Sequence, residues 1–206
     1  MKYIFVKDFE KFKKGERRTD LRNKFRILCV GRTSPIKNQK LLIEAVNILV
    51  NQKNIIDLRV EFVGAPIYET DRLYTQELTA LVEKYGLGGY IEFTGSVPNR
   101  EIAGRYLSAD LSINLCPTGG MDKVVLESMA AAVPALALNK TFVSVFDKYA
   151  SRLILQEPDA EELAEKIIDQ IKMDSVERKS MGDDLSKMVQ DNFSLSRLIG
   201  KILAGY

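Results

Sequence analysis

Two stretches of this 206-residue chain carry residue types suited to anion chemistry. The first is Gly31-Arg-Thr-Ser-Pro-Ile-Lys37, where Arg32 and Lys37 flank a proline turn just ahead of a helical pattern. Two cations beside a helix N-terminus suit a diphosphate, since each charge-assisted hydrogen bond contributes about 1.5–3 kcal/mol. A solvated loop with two ordinary surface cations fits the same residues. The second stretch is Thr118-Gly-Gly-Met-Asp-Lys-Val-Val-Leu-Glu-Ser-Met-Ala-Ala-Ala-Val-Pro134. Adjacent glycines lead into an apolar helix that carries one carboxylate, Glu127, near its start. Residues 109–117 ahead of it read as a short buried strand. A strand, a glycine turn and a helix together offer backbone N–H groups to a phosphate. A buried carboxylate near such a helix start accepts hydrogen bonds from a sugar hydroxyl. The plainer alternative is a tight turn, with Glu127 completing the helix start as acidic residues do.

Composition removes several other chemistries. The chain has no histidine, which excludes histidine triads and histidine-ligated metals within it. Cys29 and Cys116 sit in separate apolar runs and read as buried free thiols of a reducing compartment. The net charge is +2, with acids and bases interspersed, so nothing supports nucleic-acid binding. No Gly-x-Gly-x-x-Gly follows a strand and no Gly-x-x-x-x-Gly-Lys-[Ser/Thr] loop occurs. No metal site is expected, so the cations must meet the phosphate charge themselves. No apolar run approaches the roughly 18 residues of a membrane span, and the start is too short for a leader. The expectation is a soluble cytoplasmic protein, with peripheral contact at the inner face of a membrane left open.

These residues need elements to hold them. Apolar runs ending in glycine predict strands over 25–31, 58–64 and 90–95, and further runs predict strands over 111–116, 135–138 and 152–155. Helical spacing predicts helices over 38–52, with Asn38 as N-cap, and over 71–85 and 99–107. The stretch after Gly120 gives another. Asp159-Ala-Glu-Glu162 reads as a capping box opening a helix to about 173, followed by one over 176–190 and an amphipathic one over 194–204. Alternation of short strands with helices predicts an α/β fold, a Rossmann-like parallel sheet of about six strands with helices on both faces. Ligands of such folds bind at the carboxyl ends of the strands. Gly31-Arg32, Gly64, Gly95-Ser96 and 117–120 all fall on that rim.

At this point the chain resembles the C-terminal, nucleotide-sugar-binding domain of a GT-B retaining glycosyltransferase of the group-1, glycogen-synthase-like family. The matching pieces occur in family order over about residues 25–206. They are Val30-Gly-Arg-Thr-Ser-Pro-Ile-Lys37 leading into Leu-Leu-Ile-Glu-Ala45, Phe93-Thr-Gly-Ser-Val-Pro98, Tyr106-Leu-Ser-Ala-Asp-Leu111, and Lys123-Val-Val-Leu-Glu-Ser-Met-Ala-Ala-Ala-Val-Pro134. The resemblance implies that Arg32 and Lys37 hold the donor diphosphate and stabilise the leaving group, and that Glu127 binds the nucleotide ribose. It implies that Ser96 and Val97 meet the base, mainly through backbone groups. Gly31, Thr118, Gly119, Gly120, Met121, Asp122, Lys123 and Val124 then supply the loops around phosphates and sugar. One position departs from the family pattern: Gly119 stands where a first glutamate contacts the donor sugar. That contact then falls to Asp122, to backbone amides, or to nothing.

The organisation this implies is an interdomain linker or arm over 1–24, a donor-binding domain over 25–190 and a C-terminal helix over 191–206. The expected function is transfer of a hexose from a UDP- or GDP-linked sugar to an acceptor held by an N-terminal GT-B domain absent from this chain. No cofactor is expected beyond the sugar nucleotide. A sugar-nucleotide epimerase domain and a degenerate, non-catalytic GT-B binding module are the alternatives.

Overall fold

The computed structural model describes residues 24–193. The expectations for the arm over 1–24, save its last residue, and for the helix over 194–204 lie outside them. The described chain alternates β1 (Phe25–Val30), α1 (Gln39–Asn47), β2 (Leu58–Val63), α2 (Glu69–Lys84), β3 (Ile91–Gly95), α3 (Asn99–Leu107), β4 (Leu111–Asn114), α4 (Lys123–Ala130) and β5 (Ala135–Ala137). Short helical turns over 140–153 follow, then α5 (Ala160–Lys172) and α6 (Ser175–Phe193). The last helix runs through Gln190 without a break, so the boundary expected there is not marked by a change of structure.

All strand pairs are parallel, in the order β3-β2-β1-β4-β5. Ile27, Leu28, Cys29 and all four residues of β4 are buried, as a parallel sheet covered on both faces requires. One set of helices packs α1 against α2 and α5, and the other packs α4 against α3 and α6. The second set leaves part of β2 and β3 bare. Arg59 and Glu92 pair there at 2.6 Å, and Arg105 of α3 pairs with Glu61, around an open cleft of about 770 Å³.

The helix that carries Glu127 is fixed at its C-terminal end. Ala132 adopts φ 56°, its N–H bonds the Met129 carbonyl at 2.9 Å, and the Val133 N–H bonds the Ser128 carbonyl at 3.0 Å. That pattern closes a helix through a left-handed residue, a place usually taken by glycine. Helix α6 then lies directly on this turn. A Cβ added at Gly182 would sit 2.2 Å from the Ala132 carbonyl oxygen, and the Ser186 hydroxyl donates to the Ala130 carbonyl at 3.2 Å.

Two expectations are corrected. The sixth strand over 152–155 is a helical turn through Leu153 and then a single parallel bridge between Ile154 and Ala137. The Ile154 N–H still closes the turn on the Ala150 carbonyl, so only the Leu155 N–H remains to bond Ala137. Asn38 is not a side-chain cap. It lies at φ 51° and makes no side-chain bond to α1, whose Lys40 N–H is taken instead by the Tyr74 hydroxyl at 3.0 Å. The Asp159 cap holds, accepting from the Glu162 N–H at 2.8 Å, while the Glu162 carboxylate reaches back to Gln156 and Glu157.

Alanine normally stabilises a helix relative to glycine by about 1 kcal/mol. Gly104→Ala, where an added Cβ meets nothing, should raise stability by about 0.5–1 kcal/mol. Gly182→Ala should lower it by about 2–3 kcal/mol, because backbone must shift to admit the methyl. Urea denaturation of both variants reads the opposite signs.

Candidate functional site

Sheet growth reverses between β1 and β4, because β2 and β3 lie to one side of β1 and β4 and β5 to the other. At such a switch point the loops leaving the two strands diverge and open a crevice. Three of the strands reach the carboxyl edge beside it in glycine. Gly31, Gly64 and Gly95 have φ values of 152°, 141° and 74°. A Cβ at Gly64 would lie 1.9 Å from the Gly31 carbonyl oxygen, so no side chain fits there.

Lys37 arrives from the β1–α1 loop, its stem passing over Gly31, and its ammonium pairs with Asp122 Oδ2. Asn114, the last residue of β4 and 4% exposed, donates its Nδ2 to the same oxygen at 3.0 Å. Its own Oδ1 is buried with no partner. Asp122 is the N-cap residue of α4, yet its side chain makes no bond to the helix amides. Beneath the pair, burial pushes the Cys29 thiol up to about 12, against the pull of the Lys37 ammonium and with a further push from Asp122.

Arg32 has a separate carboxylate. Its Nε lies 3.5 Å from Asp71 Oδ2, and its guanidinium stands over the Tyr68 ring, 5.2 Å from the centroid. Asp71 is buried and also accepts from the N–H groups of Ile67 and Tyr68 at 3.2 Å, which starts α2 two residues before the expected position. Glu127 lies in the middle of α4, not at its start, so it does not serve as an acid of the first helical turn. It is 5% exposed, and its Oε1 holds Lys123 at 2.7 Å. The fully buried Tyr106 hydroxyl donates to the Val124 carbonyl at 3.1 Å. Burial holds that phenol well above its ordinary range, with Glu127 and then Asp122 adding to the rise.

The glycine loop is exposed from Thr118 to Gly120, with Met121 half-buried against the core. Asn139, beyond β5 and 4% exposed, donates to the carbonyls of Gly119 at 3.3 Å and Gly120 at 3.4 Å, while its Oδ1 accepts from the Thr141 N–H. Ser96 is exposed after β3, and Val97 is half-buried against the core. The structure thus brings Lys37, Asp122 and the α4 N-terminus together and gives Arg32 its own ion pair. Asn114, Asp71 and Asn139 were not anticipated. An amide side chain inside the otherwise mostly apolar run Leu111-Ser-Ile-Asn-Leu-Cys116 is the one signal that pointed to Asn114.

The family model for glycosyl transferases group 1 matches residues 8–187. The Bacillus subtilis (strain 168) protein TuaC, named for teichuronic acid biosynthesis as a glycosyltransferase, is 31% identical over 105 residues, 50% of this chain and 26% of its own. The D-inositol 3-phosphate glycosyltransferase of Arthrobacter sp. (strain FB24) is 28% identical over 114 residues, 55% of this chain and 26% of its own. The matches thus span about a quarter of the length of these curated relatives. Among solved structures, Anabaena HepE in complex with UDP and glucose superposes with a TM-score of 0.76 at 18% identity, over 98% of this chain and 53% of that one. The C-terminal domain of the group 1 protein LpcC from Francisella tularensis superposes with a TM-score of 0.74 at 19% identity, over 94% and 96%. At these identities the two structures show a shared fold.

Removing Asn139 releases both loop carbonyls and the Thr141 N–H at once. Asn139→Ala should cost about 1–2 kcal/mol of stability in urea denaturation, more than Thr141→Val, which leaves all three bonds in place.

Proposed function

The chain belongs to the group 1 glycosyl transferases, and we propose that it is the donor-binding domain of a retaining enzyme. That enzyme transfers a hexose from a UDP- or GDP-linked sugar to an acceptor held by an N-terminal GT-B domain. The observation that carries this reading is the meeting of Lys37, Asp122 and the amide end of α4 at the crevice between β1 and β4. Because Asp122 does not cap α4, the first amides of that helix stay available to an anion.

In this mechanism the donor diphosphate lies over the glycine edge, where backbone can approach it closely. Lys37 and Arg32 exchange their carboxylate partners for phosphate oxygens. As the bond to the sugar breaks, negative charge gathers on the diphosphate, and the two cations and the helix end meet it without rearranging, the condition for strong electrostatic stabilisation. Glu127, held by Lys123, accepts from the ribose. Ser96 and Val97 border the base through their backbone. HepE, solved with UDP and with UDP-glucose, shares the fold and supports a UDP-linked donor. Among the described residues no helix is long and apolar enough to cross a membrane. A second reading, a binding module without transfer activity, draws on Gly119, which leaves that position of the loop without a carboxylate.

Calorimetric titration with UDP, GDP and ADP separates these readings from an empty fold. One nucleotide should bind at about 10–1,000 μM. The double variant Arg32→Ala/Lys37→Ala should weaken it by about 100-fold or more, the loss of two charge-assisted contacts. No binding at millimolar nucleotide, or binding indifferent to both substitutions, would remove the donor-site reading.

A further inference from the structure

We propose that Asp122 reads the hydroxyl groups of the donor's transferred sugar, taking the place that Gly119 leaves without a side chain. This rests on the donor-domain reading. Aspartate at an N-cap ordinarily accepts from the second or third amide of its own helix. Asp122 makes no such bond, and both of its contacts, Lys37 Nζ and Asn114 Nδ2, converge on Oδ2. No hydrogen bond or ion pair engages Oδ1 among the described residues, and the side chain is 21% exposed. The same cluster holds a second unused acceptor, the buried Oδ1 of Asn114.

A buried polar group without a partner is costly, and one beside a half-used carboxylate marks a place built for a ligand donor. The two acceptors and one ammonium form a set that a phosphate alone does not use. A phosphate ester does use it. When Lys37 turns to the phosphate, whatever that phosphate carries lies beside Asp122, released from its cation and able to accept from neighbouring hydroxyls. Glu127 stands five residues further along α4, about 7.5 Å in helical rise. One carboxylate then serves the sugar at each end of a diphosphate. An added Cβ at Gly119 meets nothing within 4 Å, so the glycine leaves open space on the loop before Asp122.

The test compares each sugar nucleotide with its parent diphosphate on the whole chain, using UDP with UDP-glucose, UDP-galactose and UDP-N-acetylglucosamine, and GDP with GDP-mannose. The readout is the affinity ratio within each pair, by calorimetry, for the wild type, Asp122→Asn and Asp122→Ala. For the pair with the highest wild-type ratio, both variants should lower it about tenfold or more, as loss of a charged hydrogen-bond partner does. If Asp122 only positions Lys37, or only competes with phosphate for it, diphosphate and sugar nucleotide shift together and the ratio holds within about threefold, which overturns the proposal. Binding of diphosphates without any of the sugar nucleotides overturns it too and leaves the nucleotide site standing. A wild type that binds none of these compounds removes the donor-domain reading and this inference with it.

Discussion

One ammonium group spans the point where the sheet changes its direction of growth. Lys37 leaves the β1 side and closes on Asp122 at the β4 side. At 23% and 21% exposure the two side chains are largely shielded, unlike the half-exposed Arg59–Glu92 pair. Exposed pairs contribute about 0–1 kcal/mol, whereas a partly desolvated pair interacts more strongly and also demands partners for its remaining atoms. Asn114 answers part of that demand, and the Cys29 thiol beneath responds to both charges. The site therefore holds its own anion. In the proposed binding mode a phosphate exchanges with that carboxylate, so no bare cation has to be desolvated.

The remaining architecture keeps the two sides of that exchange in place. Helix α4 is fixed at its far end by the left-handed turn at Ala132 and by the weight of α6 on it, and near its start by the Tyr106 hydroxyl. The loop that enters it is tied by Asn139 from the end of β5. Arg32 is held by an aspartate that also starts α2. The helix, the loop that enters it and Arg32 are thus each tied to a packed element, which limits how far they must reorganise.

The sequence announced the parts of this arrangement that are local. Strands ending in glycine, the apolar run of α4 and the Asp159 cap all rest on neighbours along the chain, and the structure has them. The resemblance to GT-B domains rested on such runs as well, and the family match agrees with it. What stayed hidden depends on distant partners. Asp71 meets Arg32 from α2, and Asn139 meets the glycine loop from beyond the next strand. Asn38 looked like a cap by type, but the preceding Pro35 turn holds it left-handed, and its side chain makes no capping bond. Residues 152–155 have strand-like composition, yet a helical turn claims their amides first.

The same feature bears on how separate molecules of this protein meet. A parallel sheet ends in two rows of backbone groups that can recruit a strand from another copy. With a net charge of +2, long-range repulsion does little to keep copies apart. Here β5 is three residues long, and the helical turn that ends in the single bridge at Ile154 covers part of its outer side. At the opposite border β3 is five residues long and carries the exposed Glu92, paired with Arg59. A docking strand would have to displace a folded turn at one border or meet charge at the other. Among the described residues, protection of the two sheet borders is therefore local and does not come from the charge of the whole chain.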